Sequence, residues 1–164
     1  MIIGKEFDPA DLLILWKRVI KSLQGYLTMC YSGGTDMRKE LLAKRISEII
    51  QKTIPEDVKV TQIAVYGEVT AVSYMIYYYV KQAGTQDWDQ CYKIYRKYSL
   101  LEKTLEKAFS QIAQLLREET CEEWTNFTLL EKSSEEMLEL LFDNTDLSDG
   151  SYEHMKKWEK TYLV

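Results

Sequence analysis

VKVTQIAVYGEVTAVSYMIYYYV, residues 58–80, is the stretch on which the fold turns. Pro55 precedes it and Gly84 follows it. Read as a helix, it puts Val60, Ile63, Val65, Tyr66, Val69, Val72, Met75, Ile76 and Tyr77 to Val80 on nearly every face. A helix apolar all round must be buried on most sides. The expectation is therefore an all-α chain: a single bundle of five to seven helices around a central hydrophobic helix at about 58–80. A membrane span is disfavoured, because Glu68, Gln62, Thr61, Thr70 and Ser73 interrupt the run and a mid-bilayer Glu68 costs a few kcal/mol.

The neighbours read as helices too. Asp8 and Pro9 suit the start of a first helix, with Leu12, Trp16, Val19, Leu23 and Leu27 on one face and Gly33-Gly34 at its end. A second begins near Thr35 or Asp36, with Leu41, Leu42, Ile46, Ile49 and Ile50 buried, and breaks before Pro55. Cys91, Tyr95, Tyr98, Leu101, Leu105, Phe109, Ile112 and Leu116 keep a three-and-four spacing, which predicts one long fourth helix over about 88–119. Ser133 and Glu136 form a capping-box pattern opening a short helix. A last helix carries Tyr152, Met155, Trp158 and Tyr162 along one side, with Glu159 toward solvent.

One domain over residues 1–164 fits the length, and 46% apolar with 29% charged residues is a globular balance. Three widely spaced cysteines, Cys30, Cys91 and Cys121, without a secretory leader suggest reduced thiols in a cytoplasmic protein. The net charge of −5 is unevenly distributed. Residues 1–117 hold 17 Lys/Arg and 13 Asp/Glu, whereas residues 118–164 hold 4 and 13. An acidic C-terminal section, 118–164, is expected to meet a basic partner or the basic surface of the fourth helix, where Lys93, Arg96, Lys97, Lys103 and Lys107 lie.

Catalytic signals are sparse. His154 is the single histidine and sits among charged residues, where it reads as an exposed helix position. Gly33-Gly34 matches no phosphate-binding loop. Glu118, Glu119 and Glu122 form an EExxE string, followed by Glu135, Glu136, Glu139 and Asp143. Over residues 118–143 this resembles the all-α nucleotide pyrophosphohydrolases of the MazG type, although the later ExxD of that family is missing. The resemblance implies carboxylates on adjacent helices holding Mg²⁺. Separately, buried tyrosines seek partners for their hydroxyls, and Tyr74, Tyr78 and Tyr95 are the candidates to line a small-ligand pocket.

The function expected is a non-enzymatic helical binding or regulatory module that engages a protein partner, with no catalytic residues, metal ligands or cofactor assigned. The alternatives are a Mg²⁺-dependent nucleotide pyrophosphohydrolase using the C-terminal glutamates, or a small-ligand sensor with a tyrosine-lined core. No membrane association is expected, the acidic balance argues against nucleic acid, and self-association stays open.

Overall fold

The computed structural model describes residues 35–97, 101–120, 123–148 and 150–164. These residues form an α+β fold and not a helical bundle. Helix α1, Thr35–Gln51, is followed by strands β1, Val60–Val69, and β2, Tyr74–Gln82, and by the short β3, Trp88–Gln90. Helices α2, Cys91–Lys97, and α3, Leu101–Glu119, come next, then β4, Asn126–Lys132, and β5, Met137–Asp143, and finally α4, Ser151–Tyr162. The five strands make one antiparallel sheet in the order β3-β2-β1-β4-β5.

The segment expected to be a central helix is the β1–β2 hairpin at the middle of this sheet. Its composition explains why. Val, Ile, Thr and Tyr lose rotamer freedom in a helix but pack well on a pleated surface. Val65 stands opposite Tyr78, Ile63 opposite Val80 and Ala64 opposite Tyr79. The misleading feature was apolarity on every face. A strand covered on both sides reads as a continuous apolar run, just as an all-round buried helix does. Here both faces of β1 are covered, and Ile63 to Val69 are all buried.

The hairpin turns through Thr70 to Ser73 without a glycine. The Thr70 N–H donates to the Ser73 carbonyl at 2.9 Å, and the two hydroxyls lie 2.8 Å apart. Arg117, from the end of α3, donates to the Thr70 carbonyl at 2.7 Å and to the Ser73 carbonyl at 2.9 Å, pinning the tip. Val72, read as core, is 93% exposed at this tip.

From Ile63 to Val69, odd-numbered β1 residues face α1 and α3 and even-numbered ones face α4; Val60, before a register shift, packs with the first set. The first layer joins Leu42, Ile46 and Ile50 of α1 and Leu105, Phe109, Ile112 and Leu116 of α3 to Ile63, Val65, Tyr78, Phe127 and Leu129. The second joins Met155 and Trp158 of α4 to Ala64, Tyr66 and Tyr79. Gly67 lies on the first face because Phe127 crosses over it. A Cβ there would come within 2.7 Å of Phe127 Cζ.

Two further helix assignments change. The long fourth helix is β3 followed by α2 and α3, since Trp88 to Gln90 pair with Tyr79 to Lys81. The capping-box pattern marks a 3₁₀ turn at Ser133–Glu135, where Glu136 takes a left-handed φ of 48°, and the residues beyond it form β5. Ser and Glu at that spacing suit a turn as well as a helix start. α1 and α4 stand where expected, although Leu41 is 58% and Tyr152 63% exposed. The first expected helix, at residues 8–32, lies outside the described residues. No helix among the described residues is long and apolar enough to cross a membrane.

Candidate functional site: an acidic sheet edge and an aromatic cleft

Of the tyrosines expected to line a pocket, Tyr74 starts β2 and is 41% exposed, while Tyr78 is fully buried. Four residues on a strand span about 13 Å, so the two are not brought together. The Tyr78 hydroxyl lies 3.0 Å from the Thr53 hydroxyl, and burial raises its pKa to about 12. Tyr95 falls on α2, with its side chain outside the described residues.

The glutamates do not converge either. Glu118 and Glu119 end α3, where Glu118 accepts from Gln114 at 2.8 Å and Glu119 from Arg45 at 3.2 Å. Glu136 sits in the β4–β5 turn and Glu139 on β5. Glu122 is outside the described residues. Among the described residues, no group of three or more His, Cys, Asp or Glu is placed to hold a metal ion. Where the pyrophosphohydrolase resemblance implies helices at 118–143, the structure has the end of α3 and then β4, a 3₁₀ turn and β5 over residues 126–143.

What the acidic section builds is the sheet's outer margin. β5 is the end strand, next to β4 alone. Residues 133–148 carry Glu135, Glu136, Glu139, Asp143 and Asp146 and no Lys or Arg. All five carboxylates are exposed. Two are fixed by their own turns. Asp143 accepts the Thr145 hydroxyl at 2.6 Å and the Thr145 N–H at 3.1 Å. Asp146 accepts the Ser148 N–H at 2.9 Å. These bonds hold both carboxyls below the usual aspartate range, led by the Thr145 hydroxyl for Asp143 and the Ser148 N–H for Asp146. Asp143 and Asp146 thus keep their negative charge over the neutral pH range. Half-buried Met137 and Leu141 add apolar surface between the charges.

The rest of the acidic section does not lie across the basic helix. α4 packs on the sheet face opposite α3, and polar bonds seat it there. Trp158 Nε1 donates to Thr128 Oγ1 at 2.8 Å. The Tyr79 hydroxyl donates to Glu159 at 2.6 Å, so Glu159 is tied to the sheet where the sequence suggested solvent. Buried Glu68 accepts the Tyr66 hydroxyl and, at 2.5 Å, the Ser151 hydroxyl. Burial first, and then the neighbouring carboxylates, raise the pKa values of Tyr66 and Tyr79. His154, expected to be exposed, is half-buried with its ring 5.9 Å from that of Tyr66. Beside this seam a cleft opens between β3, the start of α2 and the end of α4, lined by Tyr79, Trp88, Gln90, Tyr92, Lys93, Glu159 and Leu163. The Trp88 indole N–H is buried there without a hydrogen-bond partner.

The sequence signalled the acidic margin through its charge imbalance. It did not signal the α4 seam, whose partners are about 30 to 80 residues apart in the chain. No curated protein matches the chain. The model of one family, described as immunity protein YezG-like, matches residues 40–163, which takes in the sheet, α4, and α1 from its sixth residue onward. Spanning well over half of the chain, that match makes this protein a member of the YezG-like immunity protein family.

Proposed function

We propose that this protein confers immunity by binding: it holds a toxin protein in a stoichiometric complex and performs no chemistry on it. Membership in an immunity protein family carries the reading. The surface chemistry supports it. The described residues present a carboxylate-rich margin with apolar patches between the charges. Such a surface suits a protein partner whose contact face is basic. Complementary charge steers encounter, and partly buried apolar groups such as Met137, Leu141 and Phe142 add contact area. The surface that supports this reading is a strand and its loops, in place of the helical surface anticipated from the sequence.

A dose experiment separates binding from turnover. Cells producing a toxin from the same genome should survive when this chain is co-produced, and protection should saturate near one chain per toxin. A 1:1 complex should co-elute on size exclusion. Protection at a small fraction of the toxin's concentration would mean catalytic inactivation and would overturn the reading.

A further inference from the structure

The two ends of the sheet are built differently. β3 closes one end with three residues, a length that offers little backbone to a neighbour. β5 closes the other with seven residues in continuous register against β4, from Met137 opposite Lys132 to Asp143 opposite Asn126. It contains no proline, and no bulge interrupts the pairing. No further strand among the described residues pairs with its outer side. A long, regular end strand presents a row of unpaired backbone donors and acceptors, which is a template for another strand.

Charge selects the occupant. Edge-to-edge pairing of two copies would bring together two margins that each carry Glu136, Glu139 and Asp143 and no Lys or Arg over residues 133–148, an unfavourable concentration of like charge. The same carboxylates favour an extended segment carrying Lys or Arg at alternate positions. We infer that β5 is a docking edge at which a basic, extended segment of the partner protein adds as a sixth strand. Main-chain hydrogen bonds to β5 would hold the segment, while Glu139 and Asp143 would read its positive side chains. The inference rests on the binding reading above and adds to it the manner of contact.

The test uses the full chain and a synthetic nine-residue peptide of alternating Lys and Val with blocked ends. Calorimetry should show binding, and hydrogen exchange at residues 137–143 should slow at least severalfold in its presence. A peptide of the same sequence with alternate backbone amides N-methylated should bind at least tenfold more weakly. The double variant Glu139→Lys with Asp143→Lys, checked for wild-type circular dichroism, should lose binding to a similar degree. Equal binding of the N-methylated peptide, or unchanged exchange across β5, would overturn strand addition. So would a dimer of the free protein protected at the same residues. Failure of the dose experiment with peptide binding intact would instead overturn the immunity reading and leave the docking edge standing. Protection by a 1:1 complex without protection of β5 would do the reverse.

Discussion

The two faces of the sheet are held by different physics. Under α1 and α3 the contacts are aliphatic and aromatic carbon, with Ile46, Ile50, Ile112, Leu116, Phe127 and Leu129 at or near zero exposure. Under α4 they are aromatic rings with polar handles: Trp158, Ser151 and Glu159 of α4 bond Thr128, Glu68 and Tyr79 of the sheet, and Tyr66 donates to Glu68 along β1 beneath them. The first layer draws on non-directional burial, which contributes most of the stability of a domain. Each hydrogen bond in the second contributes only about 1 kcal/mol net, yet leaving its partner unmet costs about 1–3 kcal/mol. The first face makes the fold stable. The second fixes where one short helix sits.

The largest expected effect falls on the first face. Val69→Asp buries a charge beside apolar neighbours and should cost several kcal/mol, enough to unfold a marginally stable domain. Val72→Asp, three residues on at the exposed tip, should change stability by no more than about 0.5 kcal/mol. Chemical denaturation of both variants tests the hairpin directly, because a central helix would bury both positions. Equal destabilisation would break the description of this face.

Next is Phe127→Ala, which removes a fully buried ring from the same layer and should cost about 3–5 kcal/mol. Gly67→Ala, which pushes a methyl against that ring, should cost about 1–3 kcal/mol. In the Phe127→Ala background the added methyl has room, so the Gly67→Ala penalty should shrink. Strict additivity in the double variant would show that the two do not share one contact.

On the second face the expected effects are smaller. Trp158→Phe keeps an aromatic ring but removes the donor to Thr128, and should cost about 1–2 kcal/mol. Ser151→Ala, which takes one of the two side-chain donors from Glu68, should cost about 1 kcal/mol. Hydrogen exchange should then accelerate in residues 151–162 while β1 and β4 stay protected. Uniform acceleration through the sheet would mean that the two faces are a single cooperative unit.

The expected effect that is smallest near neutral pH is a pH dependence. Burial raises the Cys91 thiol to about 11 and the Tyr78 hydroxyl to about 12, both in the first layer. Unfolded values are about 8.5 and 10. The unfolded chain therefore releases these protons first. Their contribution is fully present below pH about 8.5 and is lost as pH rises through the folded values. Denaturation midpoints should hold from pH 6 to 8 and fall toward pH 11. A Cys91→Ala variant, though less stable overall, should show a flatter onset between pH 9 and 10. An identical slope would remove Cys91 from the account.

Much of the helical structure was legible. α1 and α4 show the three-and-four spacing of a surface helix, and Met155 and Trp158 turn the expected side inward. The strands were not, for a reason visible at Tyr77-Tyr78-Tyr79. Tyr78 packs beneath the helix pair and Tyr79 against α4, so adjacent residues are buried in opposite directions and the period of two vanishes. The cue that remained was β-branched and aromatic enrichment. The acidic margin was readable as charge, but its placement on an end strand was not, because that depends on Thr128 facing Leu141 and Phe127 facing Phe142.

Composition and local spacing by themselves determined the size of the core, the positions of α1 and α4, the break at Pro55, and a C-terminal section with a large excess of carboxylates. These follow from residue-by-residue preferences and from charge counts, which need no knowledge of what lies nearby. Only the tertiary structure decided that the apolar run is two strands, that buried Glu68 and half-buried Glu159 each bond across the seam between the sheet and α4, and that the carboxylates border the end strand β5. Strand pairing and buried polar bonds join residues tens of positions apart, and the free energy that selects them appears only once both partners have been withdrawn from water.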